Sequence, residues 1–298
     1  LPDAIYLNDQ NGSFINSVKE LTQQVSFYGM GLDIADINND QLQDIFVLDM
    51  ASNDNFRAKT LMASMSTDKF NYLTKTAGFQ YQYMFNSLQL NLGNNHYSNI
   101  SQLTSMASSD WSWSVLLSDY NNDGLKDVFI TNGYRKYALD NDFQNKVYKT
   151  KIKYKGNIPN NIKQQLYDEM PSESLSNLMY KNEGNLNFKE VGSNWGLDDL
   201  TFSNGAAQGD FDNDGDLDLI INNIDQEAIL YKNKTVENNL GNFLKVTAQG
   251  NTSESFAKIT ISHDNKTQYE EIKRVRGYMS SQANSAHFGV GNSTLIDT

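Results

Sequence analysis

Short apolar runs recur along the chain, and turn residues separate them. Three of these runs each follow an aspartate and are rich in β-branched and aromatic residues: 45–48, 128–131 and 219–221. Runs of this length and composition predict buried β-strands. A second pattern, in which an Asn/Gly turn joins two apolar stretches, predicts β-hairpins. It occurs at 5–14, 88–97 and 178–188, and a further copy starts at Ile229.

Together these patterns predict a repeating unit: a hairpin, a spacer, a strand, an acidic loop and a second strand. Self-similar units of several short strands are typical of β-propellers and related arrays. These units are longer than the roughly 40–50 residues of a typical blade, so we expect insertions. Residues 56–78 and 137–172 carry helix signals, with a possible cap at Ser66 in the first and a start after Pro159 in the second.

The pattern changes near Asn242 to alternating apolar and polar positions, which predict strands joined by polar turns. The alternating stretches are 243–247, 257–262 and 268–274. We therefore predict a mainly β protein with two parts. Residues 1–240 form a partial β-propeller with helical insertions, and residues 241–298 form a separate small β module.

A nine-residue acidic loop precedes each of the three predicted strands that follow an aspartate. Positions 1, 3, 5 and 9 of the loop are Asp or Asn, and in a tight loop their oxygens converge on one point. Hard oxygen ligands in a flexible cage suit Ca²⁺, and we expect position 7 to add a backbone carbonyl. An Asx-rich turn without metal is the alternative, but three copies in register favour calcium. The predicted ligands are Asp36, Asn38, Asp40, Leu42, Asp44, Asp119, Asn121, Asp123, Leu125, Asp127, Asp210, Asp212, Asp214, Asp216 and Asp218.

An EF-hand loop begins in the same way but needs a glutamate at position 12 and flanking helices. Position 12 is instead Val47, Ile130 or Ile221, which excludes an EF-hand. The third loop has four carboxylates at positions 1, 3, 5 and 9, with Asp216 in addition, so we expect it to bind calcium most tightly. The first loop has Gln41 at position 6, where the others have glycine in a sharp turn, so we expect it to bind most weakly.

Composition limits the class of protein. At 298 residues and 39% hydrophobic content, the chain can bury a core for one large or two smaller domains. Its net charge of −12 and its lack of a basic stripe argue against a nucleic-acid partner. The absence of cysteine excludes thiol catalysis, Cys-ligated zinc and disulfides. No segment approaches the ~20 apolar residues of a transmembrane helix. Weak calcium sites fill where calcium is plentiful, so we expect export to the periplasm, the outer-membrane surface or the medium.

The hairpins and acidic loops, over roughly residues 5–233, resemble the FG-GAP/VCBS repeats of integrin-α-like β-propellers. This resemblance implies up to three Ca²⁺ ions, bound on blade edges by the loop residues named above. The stretches 276–282 and 287–291 resemble the ASPIC/UnbV domain that follows such repeats in CRTAC1-like bacterial proteins. The helical inserts look like the form common in exported Bacteroidetes proteins. Such a propeller usually has six or seven blades, so we expect this chain to be part of a longer protein.

The sequence offers no convincing catalytic set. His96, His263 and His287 lie in different modules without metal-ligand spacing. We therefore expect a non-enzymatic, calcium-binding propeller that binds a protein or glycan ligand, with a role in adhesion at the bacterial cell envelope. Two alternatives remain open: a calcium-dependent polysaccharide lyase or hydrolase, and a scaffold subunit of an outer-membrane transporter complex.

Aromatic residues raise the possibility of a sugar-binding platform, since aromatic faces with polar rims suit saccharides. The candidates are Trp111, Trp113, Trp195, Tyr81, Tyr83, Tyr134 and Tyr137. Trp111 and Trp113 alternate at strand spacing directly before the second acidic loop. This spacing predicts that both pack on one face of one blade.

Overall fold

The computed structural model describes residues 3–60, 66–249 and 256–297 of the chain. It is 35% strand and 16% helix and contains a curled half-barrel sheet, so the prediction of a mainly β protein is confirmed. The strands of the repeat region are β1 (Tyr6–Asn8), β2 (Phe14–Asn16), β3 (Val25–Ser26), β4 (Leu32–Ala35), β5 (Asp44–Val47), β6 (Met50–Ala51), β7 (Gln82–Tyr83), β8 (Ser87–Asn91), β9 (Tyr97–Asn99), β10 (Asp110–Ser118), β11 (Asp127–Asn132), β12 (Leu178–Asn182), β13 (Phe188–Glu190), β14 (Ser203–Gly209), β15 (Asp218–Asn223) and β16 (Ile229–Tyr231). The C-terminal strands are β17 (Asn242–Thr247), β18 (Lys258–His263), β19 (Lys266–Glu271), β20 (Val275–Arg276), β21 (Ser280–Ser281) and β22 (Ser285–Gly291).

The helices are short, and most belong to the two insertions. They are α1 (Val18–Leu21), α2 (Asn55–Thr60), α3 (Thr67–Asn71), a π-helix (Tyr72–Thr76), α4 (Asn141–Lys153), α5 (Asn160–Asp168) and a 3₁₀ turn (Ser193–Trp195). Both predicted insertions are thus helical, although residues 61–65 of the first lie outside the described residues. Ser66 caps α3 by accepting a hydrogen bond from the Lys69 amide, and α5 begins directly after Pro159, as predicted. Within the described ranges, no helix has the length and apolar character needed to cross a membrane.

Antiparallel sheets follow one another through the repeat region. Sheet 1 has the order β4-β5-β8-β9, sheet 2 the order β10-β11-β12-β13 with β6 beside β10, and sheet 3 the order β14-β15-β16. In each sheet an acidic loop joins the first two strands: loop 1 (36–44), loop 2 (119–127) and loop 3 (210–218). The predicted strand-loop-strand arrangement is therefore correct. Strand β10 lies beside both β4 and β14, so the sheets are arranged in chain order.

The predicted order of the repeating unit is wrong in one respect. Each hairpin pairs with the acidic-loop strands that precede it, not with those that follow: β8 pairs with β5, and β12 pairs with β11. Hairpin β1-β2 forms a two-stranded sheet of its own. The error has a simple cause, because both helical insertions lie between the second strand of a sheet and its hairpin. They make the connection within a sheet longer than the connection to the next sheet.

Two hydrophobic cores lie between neighbouring sheets. Residues on successive positions of the second strand point to opposite faces, so Val128 packs towards sheet 1 with Phe46, and Phe129 packs towards sheet 3 with Leu219. These side chains are almost wholly buried, and each such burial contributes roughly 1.5–3 kcal/mol. The equivalent of Phe46 and Phe129 in sheet 3 is Ile220, which is 41% exposed on the outer face of that sheet.

The C-terminal module has its own core, formed by residues of β17, β18 and β22 with Ile272. The predicted strands at 243–247, 257–262 and 268–274 are present with small shifts, whereas β20, β21 and β22 were not predicted from the sequence. Strand β17 pairs with β22, and β18 pairs with β19 through the turn at Asp264 and Asn265. The module is therefore mainly β, as expected.

The turn around Gly277 attaches this module to sheets 1 and 2. The Gly277 amide donates to the Leu32 carbonyl, and the Leu32 amide donates back. Gly277 has a φ of +68°, and a Cβ atom there would lie 2.2 Å from Ser114 Oγ, so only glycine fits. The next residue, Tyr278, packs its ring 4.9 Å from that of Trp113.

Trp111 and Trp113 both pack against tyrosine rings, while their predicted placement on one face of β10 stays a prediction because the strand register shifts between Ser112 and Val115. Trp111 is buried and stacks on Tyr134, with ring centroids 3.6 Å apart. Trp113 is part-buried against Tyr278 and donates its indole N–H to the Gly133 carbonyl. Trp195 differs, because 38% of it is exposed. The exposed tryptophan is therefore in sheet 2's connection to sheet 3, not in β10.

Candidate metal centre

All three acidic loops have left-handed backbone at positions 4 and 6. At position 6, Gln41, Gly124 and Gly215 have φ angles of 68°, 90° and 100°, which confirms the turn predicted there. Position 4 is an asparagine in every loop, with φ between 56° and 61°: Asn39, Asn122 and Asn213. Asparagine tolerates this conformation better than most residues. The repeated asparagine was a signal in the sequence that our interpretation did not use.

Relief of backbone strain in loop 1 gives a first testable prediction. Gln41→Gly should raise the free energy of unfolding by about 1 kcal/mol, because a left-handed residue with a side chain costs roughly 1–2 kcal/mol and glycine entropy returns part of it. Urea denaturation measures the change. The control is Gln102→Gly in another exposed turn with ordinary φ, which should lower stability. Equal losses in both variants would contradict the prediction.

Backbone amides in each loop donate to the side-chain oxygens at positions 1, 3 and 5. In loop 2, Asp119 accepts from the amides of Asp123 (3.2 Å) and Gly124 (2.7 Å). Asn121 accepts from Asp123 (3.2 Å), and Asp123 accepts from Leu125 (3.0 Å). Loops 1 and 3 repeat the bonds donated by positions 5, 6 and 7. The sequence therefore folds into oxygen-rich turns of one type.

The aspartate at position 9 has a different environment. In loop 2, one oxygen of Asp127 accepts from the Tyr120 amide (3.2 Å) and the other from the Asn182 amide (2.8 Å). Asp44 and Asp218 make the same pair of bonds in loops 1 and 3. One oxygen thus binds within the loop and the other binds the hairpin, so the carboxylate connects the two. A metal-ligand role for position 9 stays a prediction, while its structural role is visible in the geometry.

Loop 3 brings the most carboxylates together. Oxygens of Asp210, Asp212 and Asp214 lie within 4.8 Å of one another, and a second such group is Asp214, Asp216 and Glu237. Glu237 was not among the predicted ligands, because it follows the hairpin strand β16 and not the loop. Asp216 Oδ1 is buried and has no hydrogen-bond partner among the described residues, and the buried Asp214 Oδ2 has an ion-pair contact with Lys232 Nζ at 3.5 Å. Such a donor set fits a hard divalent cation.

Lysine side chains offset part of the charge at loop 3. Lys232 pairs with Asp212 and also lies 3.5 Å from Asp214 Oδ2 and 2.7 Å from Glu237 Oε1. Lys245, from the C-terminal module, lies 3.2 Å from Asp210 Oδ2. Hydrogen bonds to Asp212 and Glu237 raise the pKa of Lys232 above its usual value. A cation that binds in loop 3 must therefore replace these ammonium groups around the same oxygens.

Burial raises the pKa of several loop carboxyls. The pKa of Asp44 and that of Asp119 are both about 7, and repulsion from Asp123 contributes at Asp119. The pKa of Asp216 is raised to about 6, again mainly by burial. These shifts mean that the ionised carboxylates are costly without a cation beside them. A bound divalent cation favours the ionised form, so it would compete with protons for these loops near neutral pH.

Side-chain amides connect each loop to the next. Asn39 Nδ2 of loop 1 donates to the Gly124 carbonyl of loop 2 (2.9 Å), and Asn122 Nδ2 donates to the Gly215 carbonyl of loop 3 (3.5 Å). A second link comes from the asparagine that follows Lys181 in one hairpin and Lys232 in the next. Asn182 Nδ2 donates to the Ile37 carbonyl of loop 1 (2.9 Å), and Asn233 makes the same bond to loop 2. The loops therefore line one edge of the stacked sheets.

The C-terminal module covers part of this edge. His287 Nε2 lies 2.8 Å from Asn122 Oδ1, and the Gly291 amide donates to the Asn122 carbonyl (2.8 Å). Lys126 of loop 2 pairs with Glu270 at 3.0 Å. Burial lowers the pKa of His287 to about 4, so the imidazole that bonds to Asn122 is neutral at neutral pH. The module thus lies directly against loops 2 and 3.

Comparison with known families identifies this module. Residues 247–298 match the family model ASPIC and UnbV. The match supports the resemblance drawn from 276–282 and 287–291, and it covers the ASPIC/UnbV segment but not the repeats. No curated protein matches the chain. The ASPIC/UnbV segment therefore supplies Arg276, Gly277 and His287, which attach it to sheets 1 and 2 and to loop 2.

Proposed function

We propose that this chain carries calcium-binding β-propeller blades of the FG-GAP/VCBS type and binds a protein or glycan at the bacterial cell envelope, without catalysis. Loop 3 carries the proposal: its carboxylates converge, and Asp216 Oδ1 is a buried oxygen that has no hydrogen-bond partner among the described residues. Loops 1 and 2 share its backbone path and use the same positions. Up to three Ca²⁺ ions would then bind along one edge of the sheets.

Calcium would act in these loops as a structural link. Each loop joins two strands of a sheet, and its last aspartate joins the hairpin strand that completes the sheet. An ion held by positions 1, 3 and 5 would fix the loop between these elements. If free Ca²⁺ is tenfold above the dissociation constant, each site adds about 1.4 kcal/mol by mass action. Such weak, stabilising sites suit the calcium-rich exterior of a cell, which supports an exported location.

Isothermal titration with CaCl₂ tests the proposal. The wild-type protein should bind up to three ions, and the Asp212→Asn/Asp214→Asn variant should lose the tightest of them. The control, Asp142→Asn, changes an exposed carboxyl in α4, far from the loops in sequence, and should bind calcium like the wild type. The proposal fails if millimolar calcium gives no binding, or if the double variant binds as many ions with unchanged affinity.

One acidic cluster away from the loops bears on the alternative of a lyase or hydrolase. Arg57 donates to both oxygens of Asp110 and to the Tyr137 hydroxyl, and it pairs with Glu173. Burial would raise the pKa of Asp110, but hydrogen bonds from Arg57 hold it below the usual value. An ionised, paired carboxylate is a poor proton donor at neutral pH. This cluster therefore supports a structural interpretation, in which Arg57 connects both helical insertions to β10.

A further inference from the structure

A groove of about 670 Å³ opens between sheets 2 and 3, beside loops 2 and 3. Its apolar floor includes Met179, Leu197 and Leu219, which are buried in the core shared by the two sheets. Trp195 lies in its wall and is 38% exposed. The groove is within the usual size range of small-molecule sites, roughly 300–1,000 Å³. The shape of the groove does not indicate which class of ligand binds there, but its charged residues do.

Lysines surround this groove. Lys181, Lys232 and Lys234 all line it, whereas Asp123 is the acidic residue among its lining side chains. Lys181 and Lys232 occupy equivalent places in sheets 2 and 3, one residue before the asparagine that binds the position-9 aspartate. The equivalent residue in sheet 1 is Leu90, which is buried in the core. The lysines therefore occur in the two sheets that form the groove.

Both lysines reach from the groove towards the acidic loops. Lys181 Nζ lies 3.6 Å from Asp123 Oδ2 of loop 2, and Lys232 Nζ pairs with Asp212 and Asp214 of loop 3. These aspartates are also the predicted calcium ligands. An ion in loop 2 or 3 would take the aspartate oxygens and repel the ammonium groups. Both lysines are part-exposed, so they can turn into the groove and make it more positive.

The combination of an exposed indole face and paired ammonium groups suits a carboxylated sugar. A pyranose ring has apolar C–H faces that stack on an aromatic side chain, and its carboxylate forms charge-assisted hydrogen bonds with lysine. Asn121, Asn238 and Thr235 add hydrogen-bonding groups around the same groove. A nucleic acid fits poorly, because the sequence has no basic stripe to contact a run of phosphates.

We propose that this groove binds a carboxylated sugar, with its ring on Trp195 and its carboxylate between Lys181 and Lys232, and that calcium in loops 2 and 3 strengthens this binding. The inference rests on the proposed function and specifies its glycan ligand. Calcium and sugar binding are linked through these two lysines. Without calcium the lysines pair with the loop aspartates, and with calcium bound they are released to pair with the sugar carboxylate. Linkage of this kind is reciprocal, so the sugar should also strengthen calcium binding.

Calorimetric titration with trigalacturonic acid, in CaCl₂ and in EGTA, tests the proposal, with neutral maltotriose as the matched sugar. Sugar titrated into CaCl₂ without protein corrects for calcium binding by the sugar itself. We expect binding of the acidic trisaccharide in calcium, at least about fivefold weaker binding in EGTA, in the range of typical coupling energies, and weaker binding of maltotriose. Trp195→Ala should abolish binding, and Trp195→Phe should restore part of it.

Lys232→Gln separates this proposal from a general structural effect. Loss of a charge-assisted contact should weaken sugar binding about tenfold or more, while calcium binding in loop 3 should stay equal or become tighter, because a competing ammonium is gone. The matched control is Lys163→Gln, which changes an exposed lysine of α5 outside the groove and should leave both affinities unchanged.

The possible failures are distinguishable. Calcium binding without sugar binding, or equal binding of both trisaccharides, overturns the sugar site and leaves the calcium proposal intact. Sugar binding that is equal in calcium and EGTA overturns the linkage. Loss of calcium and sugar affinity together in Lys232→Gln also overturns it, because the lysine would then only support the fold. Absence of calcium binding in the wild-type protein overturns both proposals.

Discussion

Arg276→Ala should lower the free energy of unfolding by about 3–5 kcal/mol, the range for breaking a buried ion pair from one side. Arg276 Nη2 lies 2.6 Å from Asp33 Oδ2, and Nε donates to both oxygens of the same carboxylate. Asp33 is 2% exposed. Without the arginine its charge would be left in the interior, where the donors among the described residues are the amides of Ile34 and Leu117. The Leu117 carbonyl would also lose the hydrogen bond that Arg276 donates.

Urea unfolding of the whole chain measures this effect. The control is Arg135→Ala, because the Arg135–Asp225 pair is about half exposed on both sides and surface pairs contribute roughly 0–1 kcal/mol. A double-mutant cycle with Asp33→Ala then isolates the coupling of the two side chains. The ion pair is not an anchor of the ASPIC/UnbV segment if Arg276→Ala costs no more than Arg135→Ala.

Local chemistry in this protein was largely readable from the sequence. The acidic loops lie between paired strands, as the apolar runs after Asp44, Asp127 and Asp218 indicated. Gln41 adopts the left-handed backbone expected at position 6. Each of these features depends on residues within one turn or one strand, so spacing and residue type were sufficient to predict it.

Contacts between distant residues were not readable in the same way. Arg276 and Asp33 are 243 positions apart, and no periodicity connects them. Glu237 approaches loop 3 only because β16 pairs with β15. The hairpins were assigned to the wrong neighbours because the helical insertions separate them from their own sheets. Such pairings depend on tertiary packing, which a single sequence does not reveal.

For the position-9 aspartates, the sequence and the structure indicate different roles. From the sequence they are metal ligands like the other loop carboxylates. In the structure, Asp127 is wholly buried and accepts hydrogen bonds from Tyr120 and Asn182, which places it between loop 2 and β12. The same arrangement recurs at Asp44 and Asp218. The geometry therefore gives position 9 the role of connecting strands, and the proposed metal binding would then rest on positions 1, 3 and 5.

This division predicts that two variants in loop 2 differ in calcium dependence. Asp127→Ala should lower the free energy of unfolding by about 2–6 kcal/mol, because the Tyr120 and Asn182 amides each lose their acceptor at roughly 1–3 kcal/mol apiece. The loss should be present in EGTA as well as in calcium. Asn121→Ala removes a position-3 oxygen that is part-buried. It should cost about 1 kcal/mol or more in calcium, from the weakened site, and much less in EGTA.

Thermal and urea unfolding of both variants, each in CaCl₂ and in EGTA, give the four values needed. The control is Asn157→Ala, which changes an exposed residue with ordinary φ after α4 and should show the same small effect under both conditions. If EGTA removes most of the penalty of Asp127→Ala, position 9 acts mainly as a calcium ligand and its two hydrogen bonds are secondary. If the penalty persists while that of Asn121→Ala disappears, position 9 is a structural link that holds the sheet together whether or not calcium is bound.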